Sequence, residues 1–323
     1  MQKVPREDAH LSERTLPSLP RHLLTGAELS SGDLERVLDR ALELKAAPDS
    51  SDALAGRTVA LMFQRPSTRT RVSFEAGVFE LGGHPMVLRT EDLQLTRGES
   101  IRDTAYVLSR HAAAIGIRTG PHEVATELAE HAGVPVFNML TAEHHPCEAV
   151  ADMFTLREHF GRLDGLTLAY VGDGNNVARS LAIVGALAGV EVRIASPAGY
   201  QLEPIPGAVL TADPRAAVDG ADAVYTDVWV SMSDDPESAA ERRRVLAPYR
   251  LDDALLDLAS PEAIALHCLP AHLGEEITAE VLYGSRQRIW DQAENRRHAQ
   301  KALLEYLCVP ESLGSGLTED AST

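Results

Sequence analysis

Short apolar runs alternate with helical patterns along most of this sequence, and that alternation limits the fold more than any other feature. The first run, Thr58–Phe63 (TVALMF), is followed by residues 72–81, in which Phe74, Val78 and Leu81 have helical spacing. An uninterrupted apolar run of this length is typical of a strand that is buried on both faces. Strands that alternate with helices predict a parallel sheet with helices on both sides.

The alternation forms two consecutive series, which predict an α/β protein with two doubly wound parallel-sheet domains. The predicted strands cover residues 58–63, 85–88, 112–117, 134–138, 166–171, 190–195, 223–227 and 263–268, and the polar stretch 90–100 is predicted as a loop. The predicted helices cover residues 32–46, 67–81, 101–109, 122–131, 146–160, 176–188 and 291–307. We place the change of domain between residues 147 and 148, so that the domains cover 1–147 and 148–290, with a tail over 310–323.

A polar stretch, residues 64–71 (QRPSTRTR), lies between the first strand and the helix that follows it. Pro66 and Ser67 are typical of a helix start, so Ser67 and the next three residues are expected on its first turn. Backbone N–H groups and the positive end of the helix dipole favour an anion there. Ser67, Thr68 and Thr70 add hydroxyl groups, and Arg69 adds a planar guanidinium for phosphate oxygens. The stretch predicts a phosphate site, although a polar helix start with solvated arginines has the same pattern.

The charge balance and the cysteines restrict the partners and the compartment. The chain has 323 residues and a formal net charge of −18, which argues against nucleic acid or an anionic membrane as a partner. No apolar run approaches the ~20 residues of a membrane span, and residues 1–20 are too polar for a signal peptide. The three cysteines, Cys147, Cys268 and Cys308, are too few for a disulfide framework in such a chain. We therefore expect free thiols in a reducing cytoplasm.

Four motifs resemble the aspartate/ornithine carbamoyltransferase family in their order along the chain. They are residues 67–71 (STRTR) with Phe74 and Glu75, 145–152 (HPCEAVAD), 227–232 (DVWVSM) and 267–271 (HCLPA). The last two resemble the ornithine branch, and the resemblance runs from about residue 23 to residue 307. It implies an active site in the cleft between the two domains, with the helix over 291–309 returning to the first domain. It also implies a homotrimer or a multiple of trimers.

The resemblance implies transfer of a carbamoyl group from carbamoyl phosphate to the side-chain amine of L-ornithine, giving L-citrulline and phosphate. No metal and no cofactor are implied. A carbamoyltransferase acting on putrescine or N-acetylornithine is an alternative, as is an inactive relative that binds phosphate-bearing metabolites. Asp227 argues for ornithine, because the other two amines lack a free α-amino group.

The first domain and the returning helix would bind carbamoyl phosphate. The family pattern assigns this role to Ser67, Thr68, Arg69, Thr70, Gln94, Arg118, His145, Glu148 and Arg296. Arg118, His145 and Arg296, together with Cys268, would be catalytic. His145 directly precedes a helix, where the dipole and nearby arginines lower imidazole basicity and leave a neutral hydrogen-bond donor. Taken alone, each arginine has the same pattern as a solvated surface residue, and His145 has the same pattern as a hydrogen-bonded structural histidine.

The second domain would bind ornithine. The family pattern assigns this role to Asn176, Asp227, Ser231, Met232, Cys268 and Leu269, with a cis bond between Leu269 and Pro270. An unpaired Asp227 at a strand end would suit the α-ammonium group. The turn over residues 172–177 (GDGNNV) lacks the third glycine of a dinucleotide fingerprint, and the next strand ends without an acid, so NAD is not expected.

Two positions depart from the family pattern, and one cluster invites a different chemistry. Glu148 stands where the family usually has glutamine, and Ser233 stands where it usually has glycine. We expect Glu148 to be an ionised acceptor near the carbamoyl nitrogen. The group of His144, His145, Cys147, His267 and Cys268 has no standard zinc spacing, so no metal is predicted.

Overall fold

A computed structural model describes residues 20–48, 50–230 and 236–309 of the chain. The first domain contains four parallel strands in the order β2-β1-β3-β4. These strands are β1 (Thr58–Phe63), β2 (His84–Arg89), β3 (Ala114–Arg118) and β4 (Val136–Leu140). Phe63 lies opposite Arg118 in the register, so β1 and β3 end at the same edge of the sheet.

The second domain contains five parallel strands in the order β7-β6-β5-β8-β9. They are β5 (Thr167–Val171), β6 (Glu191–Ala195), β7 (Ala208–Thr211), β8 (Ala223–Thr226) and β9 (Ile264–His267). The prediction of two parallel-sheet α/β domains is confirmed. The sequence did not predict β7, because this edge strand is half exposed and lacks the apolar run of a buried strand.

Helices cover both sheets, and the longer ones lie where the sequence predicts them. They are α1 (Ser31–Ala46), α2 (Thr68–Glu80), α3 (Ile101–Leu108), α4 (His122–His131), α5 (Pro146–Phe160), α6 (Asn176–Leu187), α7 (Pro214–Val218), α8 (Pro236–Leu246), α9 (Asp253–Leu256), α10 (Ala279–Leu282) and α11 (Ile289–Cys308). The predicted loop over 90–100 contains two short 3-10 helices, Thr90–Asp92 and Gln94–Arg97. The sequence did not predict α7, α8, α9 and α10. Three of these helices, α7, α9 and α10, are too short to show a helical period.

The last helix, α11, returns to the first domain as expected. Arg40 of α1 donates to Glu305 at 2.7 Å, and Lys301 donates to Glu80 of α2 at 2.6 Å. Lys301 is fully buried, and it also donates to two backbone carbonyls. The helix begins at Ile289, two residues before the predicted start, so Arg296 lies about two turns inside it.

Helix α5 connects the two sheets in sequence and is buried over most of its length. Its first eleven residues are all buried, because it packs on β4, on α6 and on α11. His145 is its N-cap, and Pro146 occupies its first turn, where a missing N–H has no cost. No helix among residues 20–48, 50–230 and 236–309 combines the length and apolarity that a membrane span requires.

Candidate active site

The first turn of α2 forms one wall of the site. Ser67 is the N-cap, and its hydroxyl accepts a hydrogen bond from the Thr70 backbone N–H at 3.3 Å. Thr68 is exposed, Arg69 is half buried and Thr70 is buried. The predicted helix start at the carboxyl end of β1 is therefore present, at the edge of the sheet where β3 also ends.

Two arginines donate to the Thr70 hydroxyl, and a third, Arg69, lies close enough to interact with their charges. Arg118, the last residue of β3, donates to this hydroxyl at 3.1 Å, and Arg296 of α11 donates to it at 2.9 Å. Burial, and then the charge of Arg296, lowers the pKa of Arg118 to about 10. The same two causes lower the pKa of Arg69. These guanidinium groups repel one another, so a bound dianion would relieve a repulsion that the fold holds in place.

His145 lies against this arginine group at the start of α5. Its backbone N–H donates to the Ser180 hydroxyl of α6 at 2.7 Å, which fixes the strand-to-helix turn. Burial, followed by the charges of Arg296 and Arg118, lowers the pKa of His145 well below its ordinary value. The imidazole is therefore neutral at pH 7. Its Nε2 lies 3.3 Å from the carboxylate of Glu148.

Glu148 carries the only carboxylate that contacts both His145 and Arg296 among the described residues. The side chain is buried, and Arg296 donates to its Oε2. Burial raises the pKa of Glu148, Arg296 opposes that shift and the charge of Asp227 adds to it. Its Oε1 is buried without a hydrogen-bond partner within the part of the chain that the structure describes.

Asp152 lies one turn further along α5. It accepts a hydrogen bond from Gln292 of α11 at 2.6 Å. Burial, followed by the charge of Glu148, raises the pKa of Asp152 well above its ordinary value. Gln292 also accepts from the backbone N–H of His267 at 2.9 Å, so one amide of α11 connects α5 to β9. The sequence did not predict this role for Gln292, since nothing in its neighbourhood separates it from a surface glutamine.

A second wall of the site comes from the ends of β8 and β9. Asp227 directly follows β8, and Cys268 directly follows β9. Asp227 accepts hydrogen bonds from Asn175 at 2.7 Å, from its neighbour's backbone N–H at 2.8 Å and from the Cys268 thiol at 3.0 Å. The expectation that Asp227 is unpaired is therefore wrong. Its carboxylate is held in place by three donors, because the N-cap of α6 and both strand ends meet here.

Cys268 and Leu269 form the turn after β9. Burial, and then the charge of Asp227, raises the pKa of the Cys268 thiol well above its ordinary value, so it is a hydrogen-bond donor and not a thiolate. Leu269 has φ +59°, a left-handed conformation that costs energy for a bulky side chain. Its N–H donates to Nδ1 of His267 at 2.8 Å. The peptide bond from Leu269 to Pro270 is cis.

Two further predicted residues, Asn176 and Gln94, form hydrogen bonds outside the arginine group. Asn176, the first residue of α6, donates to the Thr141 carbonyl at 2.7 Å, which ties the second domain to the loop before α5. Gln94 is exposed, and its side chain contacts Arg97 at 3.4 Å rather than the arginine group. Its neighbours Leu93 and Leu95 line a cavity that Gln64 shares, so the Gln94 loop lies beside the end of β1. Ser231, Met232 and Ser233 lie outside the described residues.

The cysteine and histidine groups do not form the cluster considered from the sequence. The Cys147 thiol donates to the Asn138 carbonyl at 3.3 Å. Asp227, His267 and Cys268 have ligand atoms within 4.8 Å of one another, and neither His144 nor His145 belongs to that group. The sequence missed Asn175 as the donor to Asp227. Two consecutive asparagines after a strand could have indicated that one caps the helix while the other faces the cleft.

Comparison with protein families settles the relationship. A model described as the carbamoyl-P binding domain of aspartate/ornithine carbamoyltransferases matches residues 21–158, and a model of their Asp/Orn binding domain matches residues 164–307. The chain belongs to the aspartate/ornithine carbamoyltransferase family. Within that family, the first model contains α2, Arg118, His145 and Glu148, and the second contains Asn176, Asp227, Cys268 and Arg296. The models divide after residue 158, whereas the division at 147 stays a prediction.

Curated relatives and solved structures are similar over most of the chain. A protein of Acidothermus cellulolyticus named ornithine carbamoyltransferase is 53% identical over 303 residues, which cover 89% of this chain and 96% of the relative. One of Parafrankia sp. with the same name is 51% identical, covering 92% and 98%. The solved ornithine carbamoyltransferase of Thermus thermophilus is 43% identical with a TM-score of 0.83, covering 90% and 100%.

Proposed function

We propose that this chain transfers the carbamoyl group of carbamoyl phosphate to the side-chain amine of L-ornithine, giving L-citrulline and phosphate. The observation that carries the proposal is the convergence of Arg69, Arg118 and Arg296 at the first turn of α2, close to the carboxylate of Asp227. The relatives that carry the name ornithine carbamoyltransferase, at about half identity, support the same reaction.

In the proposed reaction, carbamoyl phosphate lies at the first turn of α2. The N–H groups and hydroxyls of Ser67, Thr68 and Thr70 and the guanidinium of Arg69 hold its phosphate. Arg118 and Arg296 reach from the Thr70 hydroxyl towards the carbonyl oxygen. Gln94 would also bind carbamoyl phosphate, because its loop lies beside the end of β1.

The ornithine side of the site supplies the acceptor. Asp227 would bind the α-ammonium group, and Asn176 would face the α-carboxylate. Ser231 and Met232 are proposed to complete this side. The neutral thiol of Cys268 and the backbone of Leu269 lie beside Asp227, where they would direct the side-chain amine towards the carbamoyl carbon.

The chemical step is an attack by the neutral amine on the carbonyl carbon. A C–N bond forms, the bond between the carbonyl carbon and the bridging phosphate oxygen breaks, and the phosphate leaves with the electron pair. Arg118, Arg296, Thr70 and His145 would stabilise the negative charge that develops on the carbonyl oxygen. His145 would direct a ring N–H to that oxygen. The amine loses one proton, which the departing phosphate can accept.

A colorimetric citrulline assay with carbamoyl phosphate tests the proposal. Ornithine should give a ureido product, whereas putrescine and N-acetylornithine should give far less, because both lack the α-ammonium group that Asp227 would bind. Preference for either of those amines would favour a carbamoyltransferase of different specificity. Binding of carbamoyl phosphate without any product would favour the inactive relative.

We also propose a homotrimer in the cytoplasm. Two apolar side chains one heptad apart on α2, Val72 and Phe79, are 62% and 73% exposed. Tyr106 and Val107 on α3 are also more than half exposed. An exposed apolar surface of this kind is typical of subunit contacts. Light scattering after gel filtration should give three times the mass of the chain or a multiple of that mass, and a monomer would contradict the trimer.

A further inference from the structure

A second group of metal-ligating side chains lies outside the site described above. His272, Glu275 and Glu276 follow Pro270 in the loop that precedes α10. One ligand atom from each of the three lies within 4.8 Å of the other two. The Nδ1 atom of His272 and the Oε2 atom of Glu276 are 3.9 Å apart.

The burial of Glu276 points independently to a ligand. The side chain is fully buried, and its Oε1 accepts from His267 Nε2 at 3.1 Å and from the His272 backbone N–H at 2.5 Å. Its Oε2 is buried and has no hydrogen-bond partner among the described residues. The same holds for His272 Nδ1 and Glu275 Oε2. A buried carboxylate oxygen without a donor is costly, and a cation held by the three side chains would offset that cost.

We propose that His272, Glu275 and Glu276 bind a divalent transition-metal ion of the Mn²⁺ and Zn²⁺ class, with water completing its coordination. One imidazole nitrogen and two carboxylate oxygens are a donor set that suits this class of ion. Metal–ligand bonds of about 2.1 Å place neighbouring ligand atoms roughly 3 to 3.5 Å apart. The three atoms must therefore approach by about 1 Å. The His272 side chain, which is 42% exposed, is free to make that movement.

The surrounding charges allow a divalent ion but do not favour very tight binding. Two carboxylates and a neutral imidazole carry two negative charges, which balance the ion. Arg243 of α8 donates to Glu275 Oε1 at 3.0 Å, leaving Oε2 for the metal but adding a positive charge nearby. Arg250 donates to the Glu275 carbonyl at 2.7 Å and fixes the loop backbone. An exchangeable ion fits this balance better than a permanently bound one.

The ion would stabilise the turn that carries Cys268 and Leu269. Glu276 accepts from His267 Nε2, and His267 Nδ1 accepts from the Leu269 N–H, so the three residues form one chain of hydrogen bonds. Fixing Glu276 therefore fixes the orientation of the His267 ring and, through it, the strained backbone of Leu269. A bound ion should raise the melting temperature of the protein.

Mn²⁺ is the probe that separates this site from the nearby group of Asp227, His267 and Cys268. A thiolate selects Zn²⁺, whereas carboxylate oxygens suit Mn²⁺. The full chain, stripped with a chelator, is titrated with Mn²⁺, and free ion is followed by electron paramagnetic resonance. We expect one saturable site, with the Kd raised at least about tenfold in His272→Ala and in Glu275→Gln. Both side chains are partly exposed, so the variants should fold, and circular dichroism checks this.

Two control variants decide where the ion binds. Glu280→Gln removes an exposed carboxylate from the adjoining helix, and Cys268→Ala removes a ligand of the neighbouring group; both should keep the wild-type Kd for Mn²⁺. Mn²⁺ should also raise the melting temperature of the wild type and not that of His272→Ala. Absence of saturable binding would overturn the proposal. Binding that survives His272→Ala, or that is lost in Cys268→Ala, would also overturn it.

Discussion

The guanidinium of Arg296 donates to the Thr70 hydroxyl at 2.9 Å, across 226 positions of sequence. This bond joins the returning helix α11 to the first turn of α2. Arg296 also donates to Glu148 of α5, so three helices meet at one side chain. Helix α11 therefore contributes a charge to the proposed site as well as packing to the first domain. We expect the three helices to act together on carbamoyl phosphate.

Arg69 should bind the phosphate. We expect Arg69→Ala to weaken carbamoyl-phosphate affinity at least about tenfold, because a planar two-pronged contact to phosphate is lost. Lysine should restore only part of it, since a point charge cannot make both contacts. Arg71→Ala is the matched control, because Arg71 lies on the same helical turn and pairs with Glu75 at 2.6 Å. Calorimetry with equal affinity in wild type and Arg69→Ala would contradict the assignment.

Glu148 should act as an acceptor rather than a base. Glu148→Gln keeps an acceptor oxygen and removes the charge that now engages Arg296. We expect turnover within about tenfold of wild type, a barrier change of about 1.4 kcal/mol or less. Carbamoyl phosphate should bind more tightly, because Arg296 is released and a repelling carboxylate is gone. Loss of citrulline formation with binding intact would instead make Glu148 the general base.

Asp227 should determine the affinity for ornithine. Asp227→Asn removes the charge that would pair with the α-ammonium group and should raise the KM for ornithine at least about tenfold. Carbamoyl-phosphate affinity should stay nearly unchanged. Asp222→Asn, at the opposite end of β8, where the carboxylate accepts from the Thr167 N–H at 2.9 Å, is the control for charge removal. A parallel fall in both affinities would show that Asp227 supports the fold and not the substrate.

His298 should make the protein less stable in acid. Burial, followed by the charges of Lys301 and Arg297, lowers the pKa of His298 from 6.5 to about 4. Between these values the unfolded chain binds the proton and the folded chain does not, so stability falls as pH falls. The loss between pH 7 and pH 5 is up to about 2 kcal/mol in the free energy of unfolding.

His298→Gln provides the matched comparison, because glutamine has no proton to bind while all other groups remain. Urea unfolding at pH 7 and pH 5 should show a smaller loss of stability in the variant than in the wild type. The same loss in both proteins would contradict a neutral buried His298.

The sequence predicts those parts of the molecule whose signal is local. Thr58–Phe63 is an apolar run, and the strand is present with the same bounds. Ser67 precedes a helical period, and it caps α2. Pro146 indicates the start of α5, which both the prediction and the structure place at that residue. Parallel strands follow from such patterns because burial on both faces leaves an apolar run.

The parts that depend on distant contacts were not predictable. Asp227 has three donors because the ends of β8, β9 and the start of α6 meet, and no local pattern shows that meeting. Gln292 is similar in sequence to an exposed glutamine, yet it is fully buried. Leu269 adopts a left-handed backbone that its residue type disfavours, so only the tertiary structure accounts for it.

The central claim is that the carbamoyl group moves from phosphate to the ornithine side chain in one site. The most direct measurement is ¹³C and ³¹P NMR of a reaction with ¹³C-carbamoyl phosphate, ornithine and the purified protein, against a sample without protein. The account predicts the labelled carbon in the ureido group of citrulline, with one phosphate released for each citrulline. Phosphate release without citrulline, or label in a different product, would contradict it.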